Sequence, residues 1–449
     1  MRPGSQYEGS IGLERNGRYL MQPRTANNPL CGALAAVLAL AALLSPLSAS
    51  AQGLAPVIRV GNLVDYSGRT AVVGRMYGRG KEDAVRYINR HGGINGLDIE
   101  LLTVDYAYVL PQAVTAYEQW HMDGGVVAVQ GWGTADIRAL KDLVTRDHVP
   151  FFSSGFDADR VAMTMPGPGG DIGAPYHFFL NPGAIDSVKA LLQWAQQDWW
   201  ASGTQEQPVY VHMGDGSEFA TVGLEPGEAY AKELGFKVIP TIRYGSADED
   251  GKACESLKTA NVDYAYLANA SDANAALLTT CRGMGVTTHF MTNIWGYDGR
   301  LVRKAGTAAN GMVWVMANAA WGEKVPGMRL LEDIAREGAP PDADEAEPRS
   351  IHYIQGVCAI FFMKDAMERA SFMPGGITGD NIRVAMYEKK AWAPLGLKGV
   401  CNRGSWSPTD HQGITDIWVY KGHVTDEGSS MTRVYTAIVP KPISKGQDR

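Results

Sequence analysis

The chain has 449 residues, of which 45% are hydrophobic and 20% charged, with a formal net charge of −7. That much apolar material can bury two ordinary cores and exceeds what one small domain needs. The 41 basic residues form no stripe that could track a phosphate backbone, so nucleic acid is not an expected partner, and the net charge is no more than solubility favours.

In chain order, the first readable element is an uncharged apolar run over 30–44, followed by Ser45, Pro46 and then Ala49, Ser50 and Ala51. This pattern is the apolar region and small-residue cleavage site of a secretory signal. A membrane anchor is the alternative. The run is shorter than the ~20 apolar residues that cross a bilayer, and Pro46 would break a helix before the small residues. Residues 1–20 are polar and match no targeting pattern, whereas Met21 and Arg24 open a compact basic segment, which makes Met21 the expected start. Cys31 precedes the apolar run and is not placed for lipidation. The expected product is a soluble secreted protein, cleaved near Ala51, that begins close to Gln52.

From Val57 onward, short apolar runs alternate with longer segments of helical period. Strands are expected over 58–63, 99–104, 126–129, 151–152, 177–180, 209–213, 237–242, 264–267, 289–291, 312–316 and 417–420. Helices are expected over 75–91, ending at Gly92, over 112–122 with Pro111 at the first helical position, and over 350–370. Continuous apolar strands joined by helices predict parallel sheets covered on both faces. The number of βα units suits two doubly wound α/β lobes better than a closed barrel, although the pattern alone is compatible with either.

Once the leader is removed, Cys254, Cys281, Cys358 and Cys401 remain, an even number in a chain bound for an oxidising compartment. Disulfides in any of three connectivities, or four small buried thiols, are both compatible with the sequence. Pairing neighbours in sequence would keep each link inside one lobe. The nine histidines show no HExxH spacing and no CxxC occurs, so neither metal nor cofactor is expected.

Open parallel sheets bind small ligands beyond the carboxyl ends of their strands, where loops lead into helix N-termini. The strand positions therefore nominate Asp65, Tyr66, Ser67 and Gly68, then Gly131, Trp132, Gly133 and Thr134, then Ser153, Ser154, Gly155 and Phe156. In the second half they nominate 215–219 with Phe219, then 269–272 with Asn269, then Asn293, Ile294, Trp295 and Tyr297. Small hydroxyl and glycine residues leave N–H groups open to an anion, while aromatic rings offer apolar faces to the rest of a ligand. Taken singly, Ser, Thr and Asp before a helix are ordinary caps and an aromatic at a strand end is ordinary packing. Trp132, set between two glycines, is the residue least easily read as core.

The segments IRVGNLVDYSGRTAVVG, GGINGLDIELLTVD, VVAVQGWGT and HVPFFSSG occur in that order. They resemble the substrate-binding proteins of the branched-chain amino acid class of ABC importers. GGINGLDIE, beginning at Gly92, is the most specific piece, similar to the GGVNGRKIE turn between first helix and second strand in that family. The resemblance continues through PVYVHMGDGSEFA, VDYAYLANASDANAALL and LVRKAG to YIQGVCAIFFMKDAMERA. It implies the type I periplasmic-binding fold, with two lobes joined by three crossings of a hinge that closes on the ligand. Lobe one is then expected at 57–179 plus 318–403, and lobe two at 180–317 plus 404–449.

Carried over by position, the resemblance implies that Thr134 and the run Ser153, Ser154, Gly155, Phe156 and Asp157 hold a ligand carboxylate. Tyr66, Phe219, Asn269, Asn293 and Trp295 then line the remaining wall. The acidic group that usually meets an amino-acid ammonium on lobe two falls at Asn293, Ile294 or Trp295, and Asp157 replaces a common threonine. An aromatic or short aliphatic acid is therefore as compatible as an amino acid. The implied partners are a small-molecule ligand and a membrane permease, for a protein acting as a monomer. A sensor that presents its closed form to a receptor kinase would need the same clamp. An enzyme is the competing class, but GDGSEF at Gly214 lacks the GxSxG elbow, PGPGGDIG misses GxGxxG and no GxxxxGKS loop exists.

Overall fold

The computed structural model describes residues 57–155, 174–340, 349–414 and 416–439. The expected leader lies outside the described residues, as do Phe156 and Asp157. Strands β1 (Ile58–Val64), β2 (Ile99–Asp105), β3 (Ala128–Gln130), β4 (Phe151–Ser153) and β5 (His177–Phe179) form a five-stranded sheet in the order β2-β1-β3-β4-β5. Every pairing in it is parallel. Helices α1 (Ala71–Arg90), α2 (Leu110–Met122) and α3 (Thr134–Arg146) supply the crossovers, and Pro111 stands in the first turn of α2 as expected.

The second sheet repeats the plan. β6 (Val209–Gly214), β7 (Lys237–Val238), β9 (Tyr264–Leu267), β10 (His289–Thr292) and β11 (Val313–Met316) run in the order β11-β10-β9-β6-β7, all parallel, with β8 (Ile242–Arg243) also on β6. Its helices are α4 (Ala184–Ala201), α5 (Glu218–Thr221), α6 (Leu224–Glu233), α7 (Ala247–Thr259), α8 (Ser271–Gly283) and α9 (Gly299–Ala305). The chain then contributes α10 (Met328–Glu337), α11 (Ile351–Ala370) and α12 (Gly379–Glu388). It returns to the second sheet through β12 (Asp416–Thr425) and β13 (Gly428–Ile438), an antiparallel hairpin beyond β11.

Three sequence expectations are modified. The strand expected over 237–242 is two short pieces, because Pro240 has no N–H for the ladder and interrupts it. The single strand expected over 417–420 is the start of the hairpin, and β13 was not foreseen because its side chains are mostly exposed and carry no apolar alternation. Segment 404–414, expected with lobe two, packs against β5: Phe179 N–H donates to His411 O (3.0 Å), and Trp406 Nε1 donates to Phe179 O (3.1 Å).

Helix α11 is buried on nearly all sides and crosses α1 at very short range. A Cβ on Gly80 would lie 2.1 Å from Tyr353 O, and one on Gly356 would lie 2.1 Å from Tyr77 O, so both positions require glycine. Among the described residues no helix is long and apolar enough to cross a membrane.

Cys254 pairs with Cys281, and Cys358 with Cys401, which is the neighbour-in-sequence connectivity. The first pair joins α7 to α8, and the second ties α11 to the segment that bridges Asn318. With separations of 27 and 43 residues, loop closure in the unfolded chain assigns about 3.5 and about 4 kcal/mol to the two bridges. Urea unfolding of the Cys254→Ala/Cys281→Ala and Cys358→Ala/Cys401→Ala variants should each show a loss of roughly that size. Loss of less than about 1 kcal/mol from either pair would rule out a stabilising bridge there.

Candidate functional site

In each sheet the strand order reverses direction once, between β1 and β3 and between β6 and β9, and such points open a crevice at the carboxyl ends. The loop after β1 is ordered by the buried carboxylate of Asp65, which accepts from Gly68 N (2.6 Å), Thr70 N (2.8 Å) and the Thr70 hydroxyl. Thr70 Oγ1 in turn accepts from the indole Nε1 of Trp132 (2.8 Å), so the loop after β1 orients the ring carried by the loop after β3.

The backbone at Trp132 is fixed from the other side. Asp136, in the first turn of α3, accepts from Trp132 N and Gly133 N (both 2.7 Å) and from Tyr106 OH (2.7 Å). Burial pushes its carboxyl pKa up, while these three donors pull it down. Beneath the same loop lies Lys81, fully buried, whose Nζ donates to Leu63 O (3.0 Å) and Gly131 O (3.4 Å) and sits 4.9 Å from the centre of the Tyr77 ring. Burial drives its pKa down to about 7, and Asp136 and Glu82 pull the other way.

On the second lobe, Asn293 Oδ1 accepts from Trp295 N (2.8 Å), while Asn293 Nδ2 donates to Ala268 O (3.0 Å). Trp295 stacks on His352 at the start of α11, with centroids 5.2 Å apart. Burial lowers the His352 pKa, Asp298 opposes this, and Nε2 of the ring has no hydrogen-bond partner. Asp298 itself caps α9 through Arg300 N and Leu301 N (both 2.9 Å) and accepts from Ser271 Oγ (3.0 Å).

The two lobes meet where Trp132 and Trp295 pack edge to face, with ring centroids 5.5 Å apart. Tyr77 backs Trp132 at 5.0 Å and bonds Ser154 Oγ through its hydroxyl (2.7 Å). Beside this aromatic column is a cavity of ≈ 1040 Å³ whose wall takes residues from both lobes, among them Met76, Arg75, Tyr297, Arg303, Trp321 and His352. A hollow of ≈ 480 Å³ at Trp199 and Pro208 lies at the amino end of β6, away from the crevice loops. Among the described residues no group of three or more His, Cys, Asp or Glu is arranged to hold a metal.

The nominated residues divide into distinct positions. Trp132 and Trp295 are brought together. Thr134 is half-buried at the start of α3, beside the Tyr108 hydroxyl. Ser153 Oγ accepts from Gly155 N (2.9 Å), and Ser154 is engaged by Tyr77, so both hydroxyls are used within lobe one. Tyr66 lays its ring over Gly78 and donates to Glu82 Oε1 (2.8 Å), which turns it along α1. Asn269 and Asn293 brace neighbouring loops: Asn269 Oδ1 accepts from Asp215 N (3.1 Å) and its Nδ2 donates to Tyr244 O (3.3 Å). Phe219 is half-buried in α5 against the core.

Sequence reasoning missed Asp136, Lys81, Tyr108 and His352. Asp136 had a readable signal, an acid three residues after the loop glycine Gly133. Tyr108 had none, because it sits at φ 61° after Ala107 at φ 49°, a backbone choice that no side-chain pattern announces.

A sequence model of the periplasmic binding protein family matches residues 57–428. The chain belongs to that family. It is 24% identical over 360 residues to Leu/Ile/Val-binding protein homolog 4 of Brucella melitensis, covering 78% of this chain and 82% of the relative. Among solved structures, an ABC transporter substrate-binding protein of Aeropyrum pernix superposes with a TM-score of 0.71 at 21% identity, over 86% of this chain and 96% of the other. A branched-chain amino acid ABC transporter protein of Thermus thermophilus with bound valine gives 0.71 at 18% identity, over 85% and 97%. A solute-binding protein of R. palustris in complex with benzoate gives 0.67 at 15% identity, over 86% and 98%. The likeness of fold extends to both lobes.

Lys81 makes the floor of this family member's crevice measurable through pH. Its folded pKa of about 7 lies below the ordinary lysine value, so between the two the unfolded chain holds the extra proton. Stability should therefore rise as pH is raised from 7 to 9, by up to ~1.4 kcal/mol per unit from this group. Urea unfolding at pH 7, 8 and 9 should show that slope in the parent and a flatter one in Lys81→Met. Equal slopes would show that Lys81 is not strained towards neutrality.

Proposed function

We propose that the chain is a periplasmic solute-binding protein that delivers a small organic carboxylate to a membrane permease of an ABC importer. Its lobes close about the passages of the chain between β5 and α4, after β11 and before β12. The observation that carries the reading is the meeting of Trp132 and Trp295, one from the crevice loops of each lobe, beside a cavity built from both. A ring from each side, each immobilised by a hydrogen-bonded loop, is buried against the other in this arrangement, and parting of the lobes would open both faces to one small molecule.

Valine and benzoate, bound by the Thermus and R. palustris proteins, share a carboxylate on an apolar body. Chemistry at the second lobe favours the aromatic or aliphatic acid over the amino acid. Asn293 is a neutral brace, and the next acid along the loop, Asp298, is committed to capping α9. That arrangement leaves little to neutralise an ammonium. The fold is shared with enzymes as well as binding proteins, and the engagement of Ser153 by Gly155 and of Ser154 by Tyr77 supports binding over catalysis.

A thermal-shift panel of amino acids, amides, and aromatic and aliphatic carboxylates tests the reading, because a ligand at 100 times its dissociation constant stabilises the native state by ~2.7 kcal/mol. A carboxylate should shift the transition and its amide should not. In calorimetry, Trp132→Ala should weaken the best acid by about tenfold or more through lost ring contact. An amide that binds as tightly as its acid, or an unchanged dissociation constant in Trp132→Ala, would contradict the proposal.

A further inference from the structure

The loop expected to cradle a carboxylate is already filled from within. Tyr108 presses its ring against Gly133, where a Cβ would stand 2.7 Å from Tyr108 Cε2 and 2.9 Å from its hydroxyl. Burial and Asp136 raise the pKa of that hydroxyl, and the Thr134 hydroxyl and Ala135 N–H draw it back down. The two groups that a ligand anion would use thus already face a phenol oxygen. The Arg69 guanidinium lies over the same ring, 4.5 Å from its centre.

Positive charge is concentrated instead around the ≈ 1040 Å³ cavity, whose wall carries Arg75, Arg300, Arg303, Arg349 and Arg433 against only Asp298 and Glu323. This is a cationic surface in a chain of net charge −7. Two of the arginines are committed, Arg300 to Asp272 (2.9 Å) and Arg433 to Glu323 (2.8 Å). Arg75 and Arg303 form no ion pair among the described residues, where Asp272 takes Arg300 and Lys304 instead, and Arg75 donates from Nε to Tyr66 O (2.8 Å). Arg75 belongs to α1 on the first lobe and Arg303 to α9 on the second, so uncommitted guanidinium groups face the cavity from both sides. The same wall also carries the apolar side chains of Val72, Met76, Trp321 and Met431.

Resting on the solute-binding reading, we propose that the ligand is a dicarboxylate with an apolar body, bridging Arg75 of the first lobe and Arg303 of the second across this cavity. Each carboxylate takes a charge-assisted pair with one guanidinium, and the spacer lies along the apolar side chains of the wall. A monocarboxylate can satisfy one lobe only. A dicarboxylate draws the two together, and the cationic cleft raises its local concentration before contact.

Calorimetry with matched pairs, adipate against hexanoate and terephthalate against benzoate, tests the inference. In at least one pair the diacid should bind about tenfold or more tightly than the monoacid. Arg75→Gln and Arg303→Gln should each weaken the diacid about tenfold while changing the monoacid less than about threefold. Arg303 is exposed and Arg75 solvent-facing, so both variants should melt with the parent. Monoacids that bind as tightly as diacids, through Trp132 and indifferent to both arginines, would overturn the inference and leave the binding-protein reading standing. Failure of both classes of acid to bind would overturn both.

Discussion

The carboxylate of Asp136 holds the crevice of the first lobe in shape. It lies fully buried at the start of α3 and spends both oxygens on the N–H groups of Trp132 and Gly133 and on the hydroxyl of Tyr106. A loop of Gly131, Trp132 and Gly133 would otherwise sample many conformations. With Asp136 bonded to its amides and Thr70 bonded to its indole nitrogen, the ring of Trp132 has one orientation, towards Trp295. The long-range consequence is that the two lobes share a contact whose geometry is set inside each lobe separately, by Asp136 and Thr70 on one side and by Asn293 on the other.

Close helix packing extends that constraint to the rest of the molecule. Gly80 and Gly356 let α1 and α11 approach until a side chain on either would strike backbone, and this crossing carries His352 to the face of Trp295. The Cys358–Cys401 bridge anchors the same helix to the strand-like segment at Asn318, where the chain passes between sheets. Helix, bridge and aromatic column therefore converge on one side of the crevice, next to the cavity. In the solute-binding reading, residues beside the cavity also belong to the contact between the lobes, which is what lets a ligand stabilise one lobe arrangement over another.

Much of this was legible in the sequence. Apolar runs with helical spacers located the parallel strands, and the alternation of the two gave the doubly wound class, because buried strands need no polar face. The position of Trp132 between glycines set it apart in the sequence, and the structure buries its ring against Trp295. Other elements were hidden for identifiable reasons. Pro240 split a strand whose composition otherwise looked continuous. β13 is exposed, so hydrophobic pattern does not reveal it. Ser153, Ser154, Asn269 and Asn293 have side chains that suit ligand contact and internal bracing equally well, and only their partners distinguish the two uses. Tyr108 depends on left-handed backbone at two successive residues, and the arginines of the cavity are scattered from position 75 to position 433, so their convergence is a property of topology.

The central claim is that two rigid lobes, each carrying its own immobilised tryptophan, form a clamp that shuts on an organic acid. Small-angle X-ray scattering on a chain beginning at Gln52, alone and with a saturating amount of the tightest-binding acid from a carboxylate panel, measures this directly. The account predicts a smaller radius of gyration with ligand, because hinge closure brings the lobes together. An identical radius of gyration in both samples, with binding verified in the same solutions by calorimetry, would contradict it.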